Sequence, residues 1–282
     1  MKNIGWIGLG NMGFPMALNL LSAKYNVNIH SRNQEKSKAF SEKGGHVCAS
    51  LPELTKKSDT VFLMLPDDDV CAEMIEQIKA TDFAGKLIVN MSTISPEASV
   101  RFDTDLKKHN IRYVEAPVSG SVKPATEGAL VILAAGESKD LEEVSACFDI
   151  LGKKTFTWNT IGKGALAKLV VNYYMSIVVS GLADSVLFAE KIGLEDSRIL
   201  DVINAGACAS GMTQMKAQPI INKEFKPAFP LKYMYKDIRL GKEVGLNSPM
   251  GNLMLELYGE ANKEFGDEDL MAIYSYIKKT EK

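Results

Sequence analysis

Two residues in the middle of the chain have types and a spacing that could transfer a proton. Lys168 and Asn172 stand four residues apart in a strongly apolar stretch, and on a helix this spacing places them on one face. Apolar surroundings move the pKa of a lysine toward neutrality, which suits a general acid. Considered alone, the pattern favours a lysine whose ammonium reaches solvent along the helix surface.

A glycine-rich turn near the start of the chain could bind a dinucleotide. It matches the pattern GxGxxG, follows a short apolar run and precedes a helical pattern. The glycines of this pattern allow a tight turn, close approach of a pyrophosphate and close packing of strand and helix. The helix N-terminus offers N–H groups to the phosphates. We therefore predict cofactor contacts from Gly8, Leu9, Gly10, Asn11, Met12 and Gly13.

The residues after the second predicted strand indicate which dinucleotide binds. An NAD site usually has an acidic residue there for the ribose 2′-hydroxyl, whereas this chain has Ser31, Arg32 and Asn33. A guanidinium suits the 2′-phosphate of NADPH, and an acid would repel that phosphate. The segment therefore favours NADPH, although an exposed surface arginine at a strand end has the same appearance in a sequence.

Two further strand ends could wall the cofactor site. Leu65 and Pro66 follow one buried strand, and Thr93 follows the next. We expect the proline loop on the nicotinamide side and a hydrogen bond from Thr93 to the cofactor, although turn chemistry explains Thr93 equally well. The acidic run 67–69 is typical of a solvated turn and helix start.

A turn of small residues could bind an anion. Ser119, Gly120 and Ser121 follow a predicted strand and precede Lys123. Backbone N–H groups in such turns can bind an anion, and the two hydroxyls and the ammonium add donors. Composition alone favours a plain turn.

A late pair, Lys236 and Asp237, lies in a helical pattern where Lys232 and Arg239 share a face with Lys236. This basic strip could border a cleft that binds an anionic ligand. Composition alone favours a solvated helix face.

These segments need a scaffold that brings strand ends together. In the first half, short β-rich runs alternate with helical patterns, which predicts βαβ units and a parallel sheet with helices on both faces. The predicted strands are 3–7, 27–30, 60–65, 87–91, 112–115 and 129–134, and the predicted helices between them are 13–23, 35–42, 70–79 and 96–108.

The second half of the chain has helical patterns alone. After Thr157 the strand patterns stop, and the glycines at 162 and 164 indicate a hinge into a long apolar helix. The predicted helices are 169–189, 196–204, 231–244, 249–265 and 269–278. The fold class is therefore α/β: an N-terminal Rossmann-type doubly wound domain over 1–162, followed by an all-α C-terminal domain over 163–282 that a long helix joins to it.

The net charge and hydropathy of the chain argue against some classes of binding partner. A formal net charge of −2 argues against nucleic acid and acidic membranes. The apolar stretch 169–189 contains Asp184, which is costly in lipid, so we predict a helix buried between domains or subunits rather than a membrane span. The first residues lack a secretory-signal pattern, and we expect a cytoplasmic protein.

The four cysteines and three histidines are dispersed along the sequence. This predicts four free thiols, all buried as small hydrophobic residues, in a reducing compartment and no metal site. The residues are Cys48, Cys71, Cys147, Cys208, His30, His46 and His109.

Taken together, these segments resemble the β-hydroxyacid dehydrogenase family over nearly the whole chain, from Ile4 to Tyr258. The family has a PVSG turn, a GxxxKxxxN pattern and a late Lys-Asp pair. Here they are Pro117 to Gly120, then Gly164, Lys168 and Asn172, and finally Lys236 and Asp237.

The resemblance implies a role for each segment. Lys168 would give a proton to the carbonyl oxygen of the substrate, and Lys236 would reach the cofactor. The implied substrate contacts are Ser119, Gly120, Ser121, Asn172, Phe229 and Asp237.

The finer pattern is similar to the glyoxylate/succinic semialdehyde reductase branch. Arg32, Ser121 with the Lys-Pro-Ala that follows it, and the run Phe229 to Lys232 match that branch, which binds NADP. Ser31 departs from the asparagine usual there. The resemblance implies a small aldehyde or hydroxy acid as substrate and a homodimer or homotetramer.

Three alternatives stay open at this point. An NAD-linked 3-hydroxyisobutyrate-type dehydrogenase usually has an acid after the second strand, which this chain lacks. An imine reductase shares the architecture but usually lacks the lysine at 168. A non-catalytic NADPH-binding or assembly module of this family would also have lost that lysine, which this chain keeps.

Overall fold

In the computed structural model, which describes residues 3–280, the first half of the chain forms one nine-stranded sheet. The strands are β1 (Asn3–Ile7), β2 (Asn26–His30), β3 (His46–Val47), β4 (Thr60–Leu63), β5 (Leu87–Asn90), β6 (Arg112–Glu115), β7 (Val118–Ser119), β8 (Leu130–Ala135) and β9 (Gly152–Trp158). The helices between them are α1 (Gly13–Ser22), α2 (Gln34–Glu42), α3 (Leu51–Lys57), α4 (Asp68–Lys79), α5 (Pro96–Lys108), α6 (Val122–Thr126) and α7 (Ser138–Leu151).

Six strands of this sheet are parallel, in the order β3-β2-β1-β4-β5-β6. The order reverses between β1 and β4, which pair directly, with Ile7 opposite Leu63. Ligands of doubly wound sheets bind where the strand order reverses, at the carboxyl ends of the strands. The glycine turn after β1 and the proline loop after β4 therefore start at this point.

The sheet is buried on both faces because its central strands send alternate side chains to opposite sides. Phe62 of β4 stacks on Trp6, with ring centroids 5.5 Å apart, and packs with the core under α1 and α7. Its neighbours Val61 and Leu63 pack with the core under α3, α4 and α5. Two separate apolar cores are what a doubly wound sheet requires.

The last part of the sheet corrects the prediction of a purely parallel sheet. β8 runs antiparallel to β6 and β7 and parallel to β9. β6 and β7 keep one register along β8 and are interrupted at Pro117, which has no N–H to donate. Only the short helix α6 separates β7 from β8, and a parallel crossover needs a connection of about a dozen residues or more.

The second half of the chain is helical, as predicted. Its helices are α8 (Lys163–Lys191), α9 (Asp196–Ala205), α10 (Gly211–Asn222), α11 (Leu231–Glu243), α12 (Pro249–Phe265), a 3-10 turn (Leu270–Ala272) and α13 (Ile273–Thr280). The sequence missed α10, in which Pro219 interrupts the helical pattern. It also missed β9, whose side chains are mostly exposed and therefore lack an apolar pattern.

The contacts divide the chain into two compact units, unit 1 (Met1–Lys168) and unit 2 (Leu169–Lys282). In unit 2, α8 packs Val179, Ala183 and Val186 into a core with α11, α12 and α13. α8 is also the one helix in the described part of the chain that is long and apolar enough to cross a membrane. Its other side is exposed at Val170 and Tyr174, so one chain by itself buries only part of the helix.

The cysteines are free, as predicted, but differ in burial. Cys48, Cys71 and Cys147 are buried, whereas Cys208 is exposed. The prediction of a buried thiol is wrong for Cys208 because it lies between α9 and α10, outside the apolar core.

Candidate active site

The three glycines of the turn after β1 differ in what a side chain at each position would contact. A Cβ on Gly8 would lie 2.1 Å from the Met64 carbonyl oxygen, and one on Gly13 would lie 1.9 Å from that of Gly8. These two glycines therefore let the chain pack on itself. A Cβ on Gly10 would meet nothing within 4 Å. The missing side chain at Gly10 leaves space at the start of α1, where a dinucleotide pyrophosphate fits.

A cleft of about 590 Å³ opens beside this turn. It is formed by the ends of β1 and β2, the loop after β4 and one side of α4. Of the predicted cofactor contacts in unit 1, the cleft brings together Gly8, Leu9, Ser31, Arg32, Asn33 and Leu65, and leaves Gly10, Asn11, Met12, Gly13, Pro66 and Thr93 off its wall.

In the loop after β2, the neighbours of Arg32 make the local hydrogen bonds. The Asn33 side chain caps α2 by accepting the Lys36 N–H at 2.9 Å, and the Ser31 hydroxyl oxygen accepts the Asn33 N–H at 3.1 Å. Arg32 itself is exposed on the wall of the cleft. The guanidinium is thus the group of this loop that is best placed for a phosphate.

Lys36 is a cationic residue beside the cleft that the sequence prediction missed. Its ammonium donates to the Leu9 carbonyl oxygen at 2.7 Å, so it lies against the glycine turn. The available signal was its spacing, since Lys36 follows Arg32 by one helical turn at the start of α2.

The loops after β4 and β5 are tied to each other by hydrogen bonds. The Leu65 N–H donates to the Ser92 hydroxyl at 2.8 Å, and the Ser95 N–H donates to Asp68 at 3.0 Å. Asp67 and Ser95 cap α4 and α5, which confirms the predicted helix starts. Thr93, two residues before Ser95, is half-buried and lies in the chain between Ser92 and Ser95, which make these two hydrogen bonds.

The predicted anion turn has a backbone that only glycine adopts readily. Gly120 has a φ of 142°, and a Cβ on it would lie 2.7 Å from the Leu130 side chain. Ser119 and Ser121 on either side are half-buried. Asn19 of α1 donates to the Ala125 carbonyl oxygen at 2.8 Å and so holds α6, which follows the turn.

Lys168 is only 5% exposed in the second turn of α8. The start of this helix is held by a buried carboxylate: Glu115 Oε1 accepts the N–H of Gly162 at 2.7 Å and that of Gly164 at 2.8 Å. The glycines at 162 and 164, predicted as a hinge, are therefore anchored to the end of β6. Sequence reasoning missed Glu115 because a carboxylate at a strand end gives no local sign of a partner 47 residues away.

In unit 2, Asn172 is buried and donates to Asp237 Oδ2 at 2.5 Å. The other carboxylate oxygen of Asp237 lies 3.3 Å from the Lys236 ammonium. Asp237 was predicted to contact substrate, and its carboxylate contacts two other predicted site residues. Asp237 is therefore placed to orient Asn172 and Lys236.

Phe229 is held by its backbone. Its N–H and that of Ala228 each donate to Asp269 Oδ2 at 3.1 Å, and Asp269 Oδ1 binds the Lys216 ammonium at 2.6 Å. Lys216 and Asp269 are both buried. This ion pair fixes the segment that enters α11, on which Lys236 and Asp237 lie.

Three possible metal ligands come close together in the fold, although the sequence pattern predicted no metal site. The ligand atoms of His46, Cys48 and Glu53 lie within 4.8 Å of one another. The Lys57 ammonium, however, lies 2.7 Å from both His46 Nε2 and Glu53 Oε1. A positive charge thus already stands beside two of the three ligands.

Two family models match this chain and meet at residue 162. Residues 3–162 match the NAD binding domain of 6-phosphogluconate dehydrogenase. Residues 162–277 match the NAD-binding model of NADP-dependent 3-hydroxyisobutyrate dehydrogenase.

Relatives of known name match over both units. Glyoxylate/succinic semialdehyde reductase 1 of Arabidopsis thaliana is 35% identical over 98% of each chain. Cytokine-like nuclear factor N-PAC of Homo sapiens is 32% identical over 98% of this chain, which spans 52% of that protein. Among solved structures, Mycobacterium tuberculosis 3-hydroxyisobutyrate dehydrogenase with L-serine has a TM-score of 0.88, 26% identity and 99% coverage of both chains.

Proposed function

The chain belongs to the β-hydroxyacid dehydrogenase family of NAD(P)-dependent oxidoreductases, and we propose that it reduces small carboxylate-bearing aldehydes to hydroxy acids with NADPH. The observation that carries this proposal is the buried Lys168, one helical turn before the buried Asn172. Glyoxylate and succinic semialdehyde are the first substrates to test, because the relative that is 35% identical is named for them.

The preference for NADPH rests on the charge of the cleft after β2. Arg32 lies on its wall and Lys36 lies against Leu9. The segment 31–33 contains no acidic residue. Arg32, in a segment without a carboxylate, and Lys36, against the glycine turn, favour a phosphate over a free hydroxyl on the ribose.

NADPH supplies the hydride when it is bound. Lys168 holds a proton for the carbonyl oxygen, which becomes negative as the aldehyde is reduced, and donates it to the alkoxide. Asn172 lies one turn further along the same face of α8 and orients the oxygen of the substrate. Its amide is held in turn by Asp237.

The carboxylate of the substrate is assigned to the turn at 119–121. The hydroxyls of Ser119 and Ser121 and the backbone N–H groups of this turn are donors for an anion. Gly120 is required there by its positive φ. Fixing the carboxylate would hold the substrate in one orientation and so lower the entropic cost of the reaction.

We also propose that the protein is a cytoplasmic homo-oligomer. Val170, Tyr174 and Phe188 are exposed apolar side chains on one side of α8, and exposed apolar surface is typical of protein interfaces. Tyr174→Asp is expected to lower the mass measured by analytical ultracentrifugation. An unchanged mass would place the interface elsewhere.

The experiment that tests the proposed activity measures NADPH oxidation with a panel of substrates, repeated with NADH. The panel contains glyoxylate, succinic semialdehyde, tartronate semialdehyde, methylmalonate semialdehyde and a cyclic imine. We expect turnover of at least one semialdehyde, with NADPH preferred.

Each other outcome contradicts the proposal in a different way. Turnover with NADH alone would identify an NAD-linked dehydrogenase, and reduction of the imine alone an imine reductase. Binding of NADPH without turnover of any substrate would identify a non-catalytic module.

A further inference from the structure

We propose that Glu115 is the positioning residue for Lys168: it fixes the start of α8 and thereby the position of the lysine one turn later. This inference rests on the proposed function, because it assumes that Lys168 is the proton donor. It assigns a role in turnover to a residue that contacts neither substrate nor cofactor.

The first turn of α8 has no capping side chain of its own. The residue before Lys163 is Gly162, whereas helix starts usually have a Ser, Thr, Asp or Asn there. Glu115 supplies the acceptor instead, since its Oε1 accepts the N–H groups of Gly162, Gly164 and Ala165 at 2.7, 2.8 and 3.4 Å. The N–H of Lys163 donates to the Thr160 carbonyl oxygen. The donors that a helix start leaves unpaired are thus accounted for.

The carboxylate of Glu115 is rigid because its other oxygen is also bound. Ser99 of α5 donates its hydroxyl to Oε2, and Glu115 is 1% exposed. Burial raises the pKa of this carboxyl, while the hydrogen bonds from Ser99 and the three N–H groups act in the opposite direction. A buried carboxylate without these donors would be costly, so the site binds the helix start in one position.

Gly164 allows this contact to be close. A Cβ on Gly164 would lie 2.3 Å from the Leu133 carbonyl oxygen of β8 and 3.2 Å from Glu115 Oε1. Gly164 and Lys168 lie on the same face of α8, since they are four residues apart. The helix is therefore pressed against the sheet one turn before the lysine, and any side chain at 164 would push it away.

Glu115 also connects Lys168 to the anion turn. It ends β6, pairs with Asn90 and Ala135 in the sheet, and is followed after three residues by Ser119. One residue thus sets the distance between the lysine and the start of the turn assigned to the carboxylate. Small displacements of reacting groups are enough to lower turnover strongly.

The test measures kcat, KM and the NADPH Kd in Glu115→Ala and Glu115→Gln, alone and combined with Lys168→Ala. We expect Glu115→Ala to lower kcat by about tenfold or more, with the NADPH Kd changed by less than about twofold. Glu115→Gln should restore most of kcat, because its amide oxygen can accept the same N–H groups. Ser99→Ala removes the other partner of the same carboxylate and leaves the bonds to α8 in place, so its loss of kcat should be smaller than that of Glu115→Ala.

The double variant separates positioning from general support of the fold. If Glu115 acts through Lys168, adding Glu115→Ala to Lys168→Ala lowers kcat by less than about twofold further. Equal losses in both backgrounds would overturn the proposal. Should Glu115→Ala fail to fold, Gly164→Ala is expected to lower kcat in the same way, and wild-type kcat in that variant would overturn the proposal as well.

A second readout does not depend on the substrate. Amide hydrogen exchange at 162–166 should be faster in Glu115→Gln than in Ser99→Ala, and faster still in Glu115→Ala. Wild-type enzyme that reduces no semialdehyde would defeat the proposed function, whereas unchanged exchange at 162–166 in Glu115→Ala would defeat the role of Glu115 as the helix anchor.

Discussion

Unit 1 and unit 2 hold their functional segments in place by different means. In unit 1 the contacts run mostly to the backbone: Glu115 binds N–H groups of α8, and Asn33 binds an N–H of α2. In unit 2 two of the buried contacts join side chains, Lys216 with Asp269 and Asn172 with Asp237, and Asp269 also accepts the N–H groups of Ala228 and Phe229. The difference follows from the architecture.

Strand ends and glycine turns expose backbone N–H groups, so a parallel sheet offers donors wherever a loop begins. The interior of a helix uses its N–H groups within the helix. Within its helices an all-helical unit therefore makes buried polar contacts through side chains, and a buried charge there needs a partner.

Two glutamates, one in each unit, have pKa values shifted in opposite directions. Burial raises the pKa of Glu115 in unit 1. Glu190 in unit 2 is also partly desolvated, but hydrogen bonds from Lys223, Lys278 and Tyr274 outweigh burial and hold its pKa well below the ordinary value. On acidification the two residues therefore change the stability of the fold in opposite directions.

The largest expected effect is on the stability of unit 2. Asp269→Ala leaves Lys216 buried without its partner and frees the N–H groups of Ala228 and Phe229. Loss of one partner of a buried pair costs roughly 3–5 kcal/mol, to be measured by denaturant unfolding. The control is Asp267→Ala, which breaks an exposed pair with Lys232 and should cost at most about 1 kcal/mol. An equal loss of unfolding free energy in Asp269→Ala and Asp267→Ala would contradict the predicted difference between the buried and the exposed ion pair.

The next effect is on turnover. Lys168→Ala is expected to lower kcat by about a hundredfold or more, about 2.7 kcal/mol in the barrier, because it removes the general acid. The NADPH Kd should stay nearly constant. Lys163→Ala, at an exposed lysine of the same helix, serves as control and should keep wild-type kcat. Wild-type turnover in Lys168→Ala would refute the mechanism.

A smaller effect is expected at the cleft of unit 1. Arg32→Ala should weaken NADPH binding by about tenfold or more, the scale of one charge-assisted hydrogen bond, and leave NADH binding unchanged. Lys38→Ala removes the same charge from an exposed position on α2 and should affect neither cofactor. Equal losses for NADPH and NADH in Arg32→Ala, measured by fluorescence titration, would contradict the 2′-phosphate role.

The smallest effect is a pH dependence in unit 2. Because the pKa of Glu190 is lowered in the fold, its contribution is present above the unfolded pKa and is lost as the pH falls. Glu190→Gln should therefore cost roughly 1 kcal/mol at pH 7 and progressively less below about pH 4. Glu264→Gln, at an exposed pair with Lys279, should give a smaller difference at every pH. A cost of Glu190→Gln that does not depend on pH would show that its charge is not responsible.

The elements of the fold that have strong periodic patterns could be predicted from the sequence to within about two residues. The strand predicted over 112–115 and the helix predicted over 249–265 match β6 and α12. β9 could not be predicted, because it is stabilised by pairing with β8 and has few buried side chains to give an apolar pattern. The antiparallel edge was missed for a similar reason, since strand direction depends on the length of the connection.

The local motifs, taken together as a family pattern, indicated the kind of chemistry. The spacing of Gly8, Gly10 and Gly13, the absence of an acid beside Arg32, and the placing of Lys168 in an apolar stretch are properties of residues near one another in the chain. A turn or a helix converts such spacing directly into geometry.

Only the tertiary structure decided what holds these residues. Glu115 and Gly164, Lys36 and Leu9, and Asn172 and Asp237 are pairs far apart in the sequence that the fold brings into contact. A buried polar group needs a partner, but the sequence does not say which one, because any of several donors can satisfy it. The fold makes that choice when the sheet and the helices pack.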